Sequence, residues 1–374
     1  MKVLHVVPSF AFGGMEKVVS SIINLTSKYY EHEILVLYDN TEAKKWIKDQ
    51  RILIHCLKRP KSQLKYLKIL YKSLKEIMPQ ILMSYNWGAT DAIWLGRISG
   101  IRNIIHSEHG FNIDEAKSTS WKRNIIRLLV YRMTSRIVVV SHELEKMMKD
   151  VYALREDRIQ FIANGIDTEV YSPDILGRIH MRKLLGFTEE NFVIGFSGRL
   201  DPVKNFDLML EILGECVKRD KNIKLLVIGD GPERQNFEKK CQDKNLEKSV
   251  LLVGQKENVV PYLRSLDVFL LTSLREQMPM TILEAMAVAL PVVSTDVGEV
   301  ARLVQHGKNG MVWDVHAGPE TFATSLLALR DKKTLQDMGE VSRRKIVTEF
   351  REESMVQHYQ NVIDSLCRPI GSSH

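Results

Sequence analysis

Short apolar runs alternate along this chain with stretches in which apolar residues recur every three or four positions. The short runs predict strands at Lys2–Val7, Glu33–Leu37, Ile52–Cys56, Ile81–Ser84, Asn103–His106, Arg136–Val140 and Arg158–Ile162. Five more follow at Phe192–Phe196, Lys224–Ile228, Val250–Val253, Asp267–Leu271 and Pro291–Ser294. Helical patterns separate most of them, and the tail from about Glu320 reads as almost all helix. Strand–helix alternation of this kind predicts an α/β protein with parallel sheets covered by helices on both faces. Twelve strands exceed one sheet of ordinary size, so the pattern predicts two doubly wound domains. Turn residues cluster at Asn164–Pro173 (NGIDTEVYSP) and mark the join. The expected division is 1–170, 171–350, and a last helix within 351–374 that packs back on the first domain.

Composition fits this picture. The chain has 374 residues, 44% hydrophobic and 26% charged, as in a soluble globular protein of two domains. Four cysteines, Cys56, Cys216, Cys241 and Cys367, form neither a close pair nor a metal-ligand pattern. A reducing cytoplasm is the expected compartment. The opening MKVLHVV lacks the length and cleavage site of a signal peptide, and no apolar run approaches a membrane span. The net charge of +7 is unevenly placed. Residues 1–173 hold 26 Lys+Arg against 18 Asp+Glu, and the remainder holds 27 against 28. The basic excess lies wholly in the first half and suggests an anionic partner there.

In open α/β sheets, ligands sit outside the carboxyl ends of the strands. Candidate residues fall there repeatedly. Gly13 and Gly14 follow the first strand and open a helix. Such a pair brings backbone amides close to a phosphate or sugar, although it suits a plain tight turn equally well. It is not G-x-G-x-x-G, so a nicotinamide dinucleotide is poorly supported. Glu108 and His109 of SEHG are expected at the edge beyond the strand ending at His106. A lone histidine is more often structural, but this placement favours function.

In the second half, SGRLDPVKN follows a strand. Gly198 gives the turn, and Arg199 and Lys204 suit a diphosphate, one as a fork and one as a point charge. Gly229 of GDGP forms a similar turn after the next strand, with a plain turn as the equal alternative. The sequence EQMPMTILE then sets Glu276 at the end of a strand and Glu284 eight residues on. Pro279 suits the first position of a helix running from Met280 to Val288. Glu284 is expected in its first turn, and the amides of Met280, Thr281 and Ile282 are expected to receive an anion. Carboxylates for hydroxyls and amides for a diphosphate together describe a nucleotide-sugar site.

Read in order, GGME, SEHG, NGID, GRLDPVKN, GDGP and E-x7-E resemble the family 4 glycosyltransferases, over nearly the whole chain. The resemblance implies the GT-B fold, two Rossmann-like domains with the active site in the cleft between them. It implies retaining transfer of a sugar from a UDP- or GDP-sugar to an acceptor hydroxyl. By its pattern Arg199 and Lys204 bind the diphosphate, Glu284 the ribose and Glu276 a sugar hydroxyl. His109 meets the sugar from the first domain, and Gly13 and Gly14 close over the phosphate or the acceptor. No metal or cofactor is implied, since cations and helix amides stabilise the departing diphosphate. The first half is also similar to sugar transferases of bacterial exopolysaccharide clusters. Gln277 and Met278 depart from the small residue usual after the first glutamate and leave the sugar open. A GT-B epimerase or a silent nucleotide-sugar-binding subunit are the alternatives.

The basic first half adds one more expectation. Lys61, Lys65, Lys68, Lys72 and Lys75 share one face of a helix, and Lys122, Arg123, Arg127 and Arg132 lie on a second basic stretch. Nucleic acid is disfavoured by the donor-site motifs. The expected partners are a lipid-linked or saccharide acceptor and an anionic lipid surface, with the enzyme peripheral on the inner face of the plasma membrane.

Overall fold

Thirteen parallel strands build two sheets in the computed structural model, which describes residues 1–110 and 121–367. The first sheet holds β1 (Lys2–Val7), β2 (Glu31–Val36), β3 (Leu53–Cys56), β4 (Ile81–Tyr85), β5 (Asn103–Glu108), β6 (Arg136–Val139) and β7 (Ile159–Phe161). Their order is β3-β2-β1-β4-β5-β6-β7. The helices between them are α1 (Gly14–Thr26), α2 (Gln63–Ile77), α3 (Asp91–Ile98), α4 (Trp121–Tyr131) and α5 (His142–Asp150). The second sheet holds β8 (Phe192–Ser197), β9 (Ile223–Ile228), β10 (Val250–Gly254), β11 (Val268–Leu271), β12 (Val292–Thr295) and β13 (Gly310–Trp313), ordered β10-β9-β8-β11-β12-β13. With it go α6 (Ile175–Leu184), α7 (Phe206–Arg219), α8 (Arg234–Asp243), α9 (Val260–Arg264), α10 (Met280–Ala287), α11 (Val300–Leu303), α12 (Pro319–Ala328) and α13 (Lys332–Glu349). The last helix is α14 (Glu352–Ser365).

The chain divides after Gly165 and after Arg351. Unit 2 is Ile166–Arg351, and unit 1 joins residues 1–165 to α14. Within unit 1, α14 lies against α1 and the sheet. The Ser21 hydroxyl on α1 bonds Glu352, and the Tyr30 hydroxyl donates to Asp364 Oδ1 at 2.5 Å.

The strands form where continuous apolar runs fit burial on both faces. Every residue of β4, β8, β11 and β12 is buried. Helix α2 shows how one face is chosen. Ser62 caps it by accepting the Lys65 amide, and it stops at Met78, left-handed at φ 40°, just before Pro79. Tyr66, Leu70 and Leu74, four apart, bury against Leu4, Leu82 and Ile104 of the sheet, together with Ala92 and Ile93 of α3 and Val130 of α4. Truncating such a leucine to alanine costs roughly 2–5 kcal/mol. All five lysines of the predicted row stay exposed.

Three local expectations change. β5 runs two residues further than expected, so Glu108 is its last residue rather than part of a loop. Gly310–Trp313 forms an edge strand that the apolar pattern did not announce. Arg127, expected on the basic surface of α4, is fully buried, with its guanidinium 4.9 Å from the Trp87 ring. Among the described residues, no helix is long and apolar enough to cross a membrane.

Candidate functional site

In unit 2 the strand order reverses between β8 and β11, the place where open sheets leave a crevice. The two loops leaving these strands are stapled together. Thr272 Oγ1 donates to the Lys204 carbonyl at 2.8 Å, and the Leu274 amide to the Val203 carbonyl at 2.8 Å. This sets Lys204 Nζ 2.6 Å from Glu276 Oε1, with the side chains only 18% and 13% exposed. Ser273 Oγ donates to the same oxygen at 2.7 Å. An ammonium has three donors and a carboxylate two acceptor oxygens, so the pair is fixed while each partner keeps capacity for a ligand.

The floor of this crevice is backbone. Gly229 has φ +149°, and a Cβ there would lie 1.9 Å from the Gly198 carbonyl oxygen. The Gly198 amide donates to the Ile228 carbonyl at 2.9 Å, and the Leu200 amide to Asp230 at 2.9 Å. Only glycine allows the loops after β8 and β9 to lie this close.

Helix α10 follows Glu276 and departs from expectation in three respects. Pro279 is its N-cap rather than its first residue, and no side chain caps the first turn. Glu284 is the fifth helical residue, outside that turn and 4% exposed, and its Oε1 accepts from the Tyr171 hydroxyl at 3.3 Å. The Ile282 amide is not open to an anion, because it donates to the Pro279 carbonyl at 3.2 Å. Met280 and Thr281 stay at the opening turn. The Thr281 hydroxyl is buried with no hydrogen-bond partner among the described residues, and its methyl is 3.9 Å from where a Gly198 Cβ would stand. A buried donor without a partner is costly, so this hydroxyl fits a ligand oxygen. Arg199 does not join Lys204. Its side chain is 72% exposed and pairs with Asp201 at 3.0 Å.

In unit 1 the order reverses between β1 and β4. Gly13 caps α1 in an extended conformation and Gly14 opens it. The Glu16 carboxylate folds back so closely that a Cβ on Gly13 would meet Oε2 at 2.4 Å. Burial pushes Glu16 up to about 7. Beyond β4, Asn86 is held at φ 54°, ψ 173°. Its Oδ1 accepts the His109 amide at 2.7 Å, and its Nδ2 lies 3.4 Å from Met15 Sδ. His109 therefore sits beside the opening of α1. Its Nε2 lies 2.9 Å from Ser107 Oγ, and burial holds the ring down to about 4, so it is neutral near pH 7.

Glu108 is not part of this edge. Alternation along β5 turns it to the opposite face from Ser107. There it is fully buried and accepts from the Tyr131 hydroxyl at 2.8 Å. Burial would raise its pKa, but His106, with Nε2 3.5 Å from Oε2, together with Arg127 and Tyr131, holds it below the usual carboxylate value. Asn86, Ser107 and Tyr359 were missed from sequence. Asn86 carried a signal in the polar SYNWGA after an apolar strand, and Ser107 opens the SEHG motif, while Tyr359 carried none.

Comparison with known proteins assigns both halves. Residues 12–170 match the Glycosyltransferase Family 4 model, and residues 178–345 match the Glycosyl transferases group 1 model. The chain is 29% identical over 289 residues to the Escherichia coli UDP-Gal:alpha-D-GlcNAc-diphosphoundecaprenol alpha-1,3-galactosyltransferase, covering 75% of this chain and 74% of that one. It is 27% identical over 265 residues to the Bacillus anthracis N-acetyl-alpha-D-glucosaminyl L-malate synthase, covering 71% and 68%. The crystal structure of Anabaena Alr3699/HepE in complex with UDP and glucose shares the fold, at TM-score 0.85 and 20% identity, over 98% of this chain and 100% of that one. The protein is thus an enzyme of the GT-B fold and belongs to the family 4 glycosyltransferases.

Proposed function

We propose that this glycosyltransferase moves a hexosyl group, with retention and without a metal, from a UDP-sugar to a hydroxyl of a lipid-linked or saccharide acceptor in cell-surface polysaccharide synthesis. The observation that carries the reading is the Lys204–Glu276 pair at the reversal point of unit 2, beside the opening turn of α10 and the buried Thr281 hydroxyl. UDP as the nucleotide is supported by the Anabaena neighbour, whose title names it. A lipid-linked acceptor is supported by the Escherichia coli relative, whose name gives a diphosphoundecaprenol and an α-linkage.

In this reading the diphosphate lies against the opening turn of α10, where the Met280 and Thr281 amides and the Thr281 hydroxyl face it over the Gly198–Gly229 floor. Lys204 supplies the point charge and Glu276 receives a sugar hydroxyl. Glu284 and Tyr171 take the ribose, and Arg199 swings from Asp201 to the phosphate. The acceptor oxygen bonds the anomeric carbon as the bond from that carbon to the β-phosphate oxygen breaks. The acceptor's proton passes to the departing phosphate. Negative charge grows on the diphosphate, so donors already in place there lower the barrier most. A paired-carboxylate double displacement is less suited, because Glu276 is held by Lys204 and Ser273 and Glu284 by Tyr171. In unit 1, His109 bonds a sugar hydroxyl, and Gly13 and Gly14 receive the phosphate or the acceptor.

Unit 1 also docks on an anionic membrane at the inner face of the plasma membrane. Support comes from the exposed lysines of α2, and from α4 in the same helical layer. That helix exposes Trp121, Ile125, Ile126 and Leu129 beside Lys122.

A thermal-shift and turnover panel of UDP, GDP, ADP and their sugars tests the reading. UDP should stabilise most, and a UDP-sugar should be hydrolysed or transferred. A GDP preference, epimer formation or binding without turnover would each overturn it.

A further inference from the structure

The residue that resemblance singles out in unit 1 is held by groups to which nothing assigns a role. Ser107 on β5 and Tyr359 on α14 are both buried. Ser107 Oγ lies 2.9 Å from His109 Nε2 and 3.0 Å from the Tyr359 hydroxyl. Three groups thus share two hydrogen bonds, and counting protons fixes their direction. A serine and a tyrosine carry one hydroxyl proton each, and a neutral imidazole carries one ring proton.

In one arrangement His109 donates from Nε2 to Ser107, and Ser107 donates to Tyr359. The phenol proton then has no acceptor among the described residues, and a buried donor without an acceptor keeps the whole cost of its lost hydration. In the other, Tyr359 donates to Ser107, and Ser107 donates to His109 Nε2. Both hydroxyl protons are then used. The ring proton sits on Nδ1, which has no protein partner among the described residues. The proton left over in the first arrangement belongs to Tyr359, only 1% exposed, whereas in the second it belongs to the half-buried His109, where water or a ligand can accept it, so the second is the better satisfied.

We propose that Ser107 and Tyr359 are positioning residues that hold His109 in its Nδ1–H tautomer, so that it offers a hydrogen-bond donor to a hydroxyl oxygen of the substrate. The proposal rests on the part given to His109 above. Asn86 fixes the other end of the residue by binding its amide at 2.7 Å, and the Tyr85 ring flanks it at 6.1 Å between centroids. Backbone and ring are therefore both constrained. Because burial keeps the imidazole neutral, its usefulness depends on which nitrogen holds the proton rather than on its charge.

The test is nitrogen-15 NMR of histidine-labelled full-length protein, with the His109 signal assigned by His109→Gln. The free wild-type protein should show the Nδ1–H form. Ser107→Ala should shift it towards Nε2–H, Tyr359→Phe should shift it less, and Ser107→Thr should restore it. With the UDP-sugar turned over fastest among UDP-glucose, UDP-galactose and UDP-N-acetylglucosamine, Ser107→Ala should lower kcat about 10-fold or more, the scale of one positioned hydrogen bond. Its UDP affinity should be unchanged, and Ser107→Thr should recover the rate. A wild-type Nε2–H form, or a Ser107→Ala protein with unaltered tautomer and rate, would overturn the proposal. A fully active His109→Gln would remove His109 from the reaction and this proposal with it. A crippled His109→Gln beside a fully active Ser107→Ala would remove only the relay.

Discussion

Lys204 Nζ and Glu276 Oε1 stand 2.6 Å apart although 72 residues separate them in the chain. They meet because β8 and β11 are neighbours where the sheet reverses, and because Thr272 binds the two loops together. The pair should act in turnover more than in binding of the bare nucleoside. Lys204→Ala should lose roughly 2–4 kcal/mol of transition-state stabilisation. Arg199→Ala should also lose turnover, but less, since Arg199 is exposed and must leave Asp201 to take part. Single-turnover rates set against UDP affinity measure both. Near-normal turnover of Lys204→Ala would take the pair out of the mechanism.

Activity should persist in EDTA. In the proposed site Lys204 and the opening amides of α10 would take the part that a divalent ion plays elsewhere. Complete loss on chelation, restored by Mg²⁺ or Mn²⁺, is the opposite result.

Gly229→Ala should destabilise unit 2 by about 2 kcal/mol or more, from strain at a glycine-only backbone conformation plus a clash with the Gly198 carbonyl. UDP affinity should fall with it. Thermal unfolding with and without UDP reads both effects, and a wild-type melting temperature would show that the floor relaxes.

Acid and alkaline limits should come from different groups. Burial holds His5 well below its unfolded value of 6.5, and holds His32 and His109 at about 4. The unfolded chain binds those protons first, so stability should fall as pH drops from 6.5 towards 4. Glu16 works the other way. Its pKa is about 7 when folded against 4.5 unfolded, so its contribution is lost as pH rises through that window. Glu16→Gln should raise the melting temperature at pH 8 and leave it unchanged at pH 4.5. An equal gain at both values would mean that Glu16 does not titrate there.

Unit 1 should float with anionic vesicles and not with neutral ones. Lys65, Lys68 and Lys72 are exposed on one face of α2, and Lys72 lies 3.6 Å from Glu76. Attraction should weaken with salt, as screening acts over about 8 Å at physiological strength. Changing the three lysines to glutamate should abolish flotation and spare transfer to a soluble acceptor analogue. Equal recovery on both vesicle types would leave the row as a solvated helix face.

Much of the architecture was legible because buried parallel strands write themselves as apolar runs. Twelve strands lie where the pattern put them, within two residues at either end. β13 was not legible, since Gly310 and only three apolar residues make too short a run. The site was legible as motifs but not as contacts. Lys204 and Glu276 were separate expectations, and only the strand order joins them. Arg127 reads as a surface cation, yet it is buried beside Trp87. Glu108 and His109 are adjacent letters, yet Glu108 ends β5 bonded to Tyr131 while His109 lies beyond the strand against Ser107. Tyr359 carried no signal, because nothing local announces a partner from 252 residues away.

Unit 2 is inserted into unit 1, and this bears on how the protein is made. A ribosome delivers β1 to β7 well before α14. Until residues 352–365 emerge, Ser21, Tyr30 and Ser107 lack the partners that α14 brings them. Unit 2, continuous from Ile166 to Arg351, has its whole chain out first. A transcript cut short before α14 would thus yield a nascent chain whose second half can close while the first stays open along α1, a surface for chaperones and proteases rather than an enzyme.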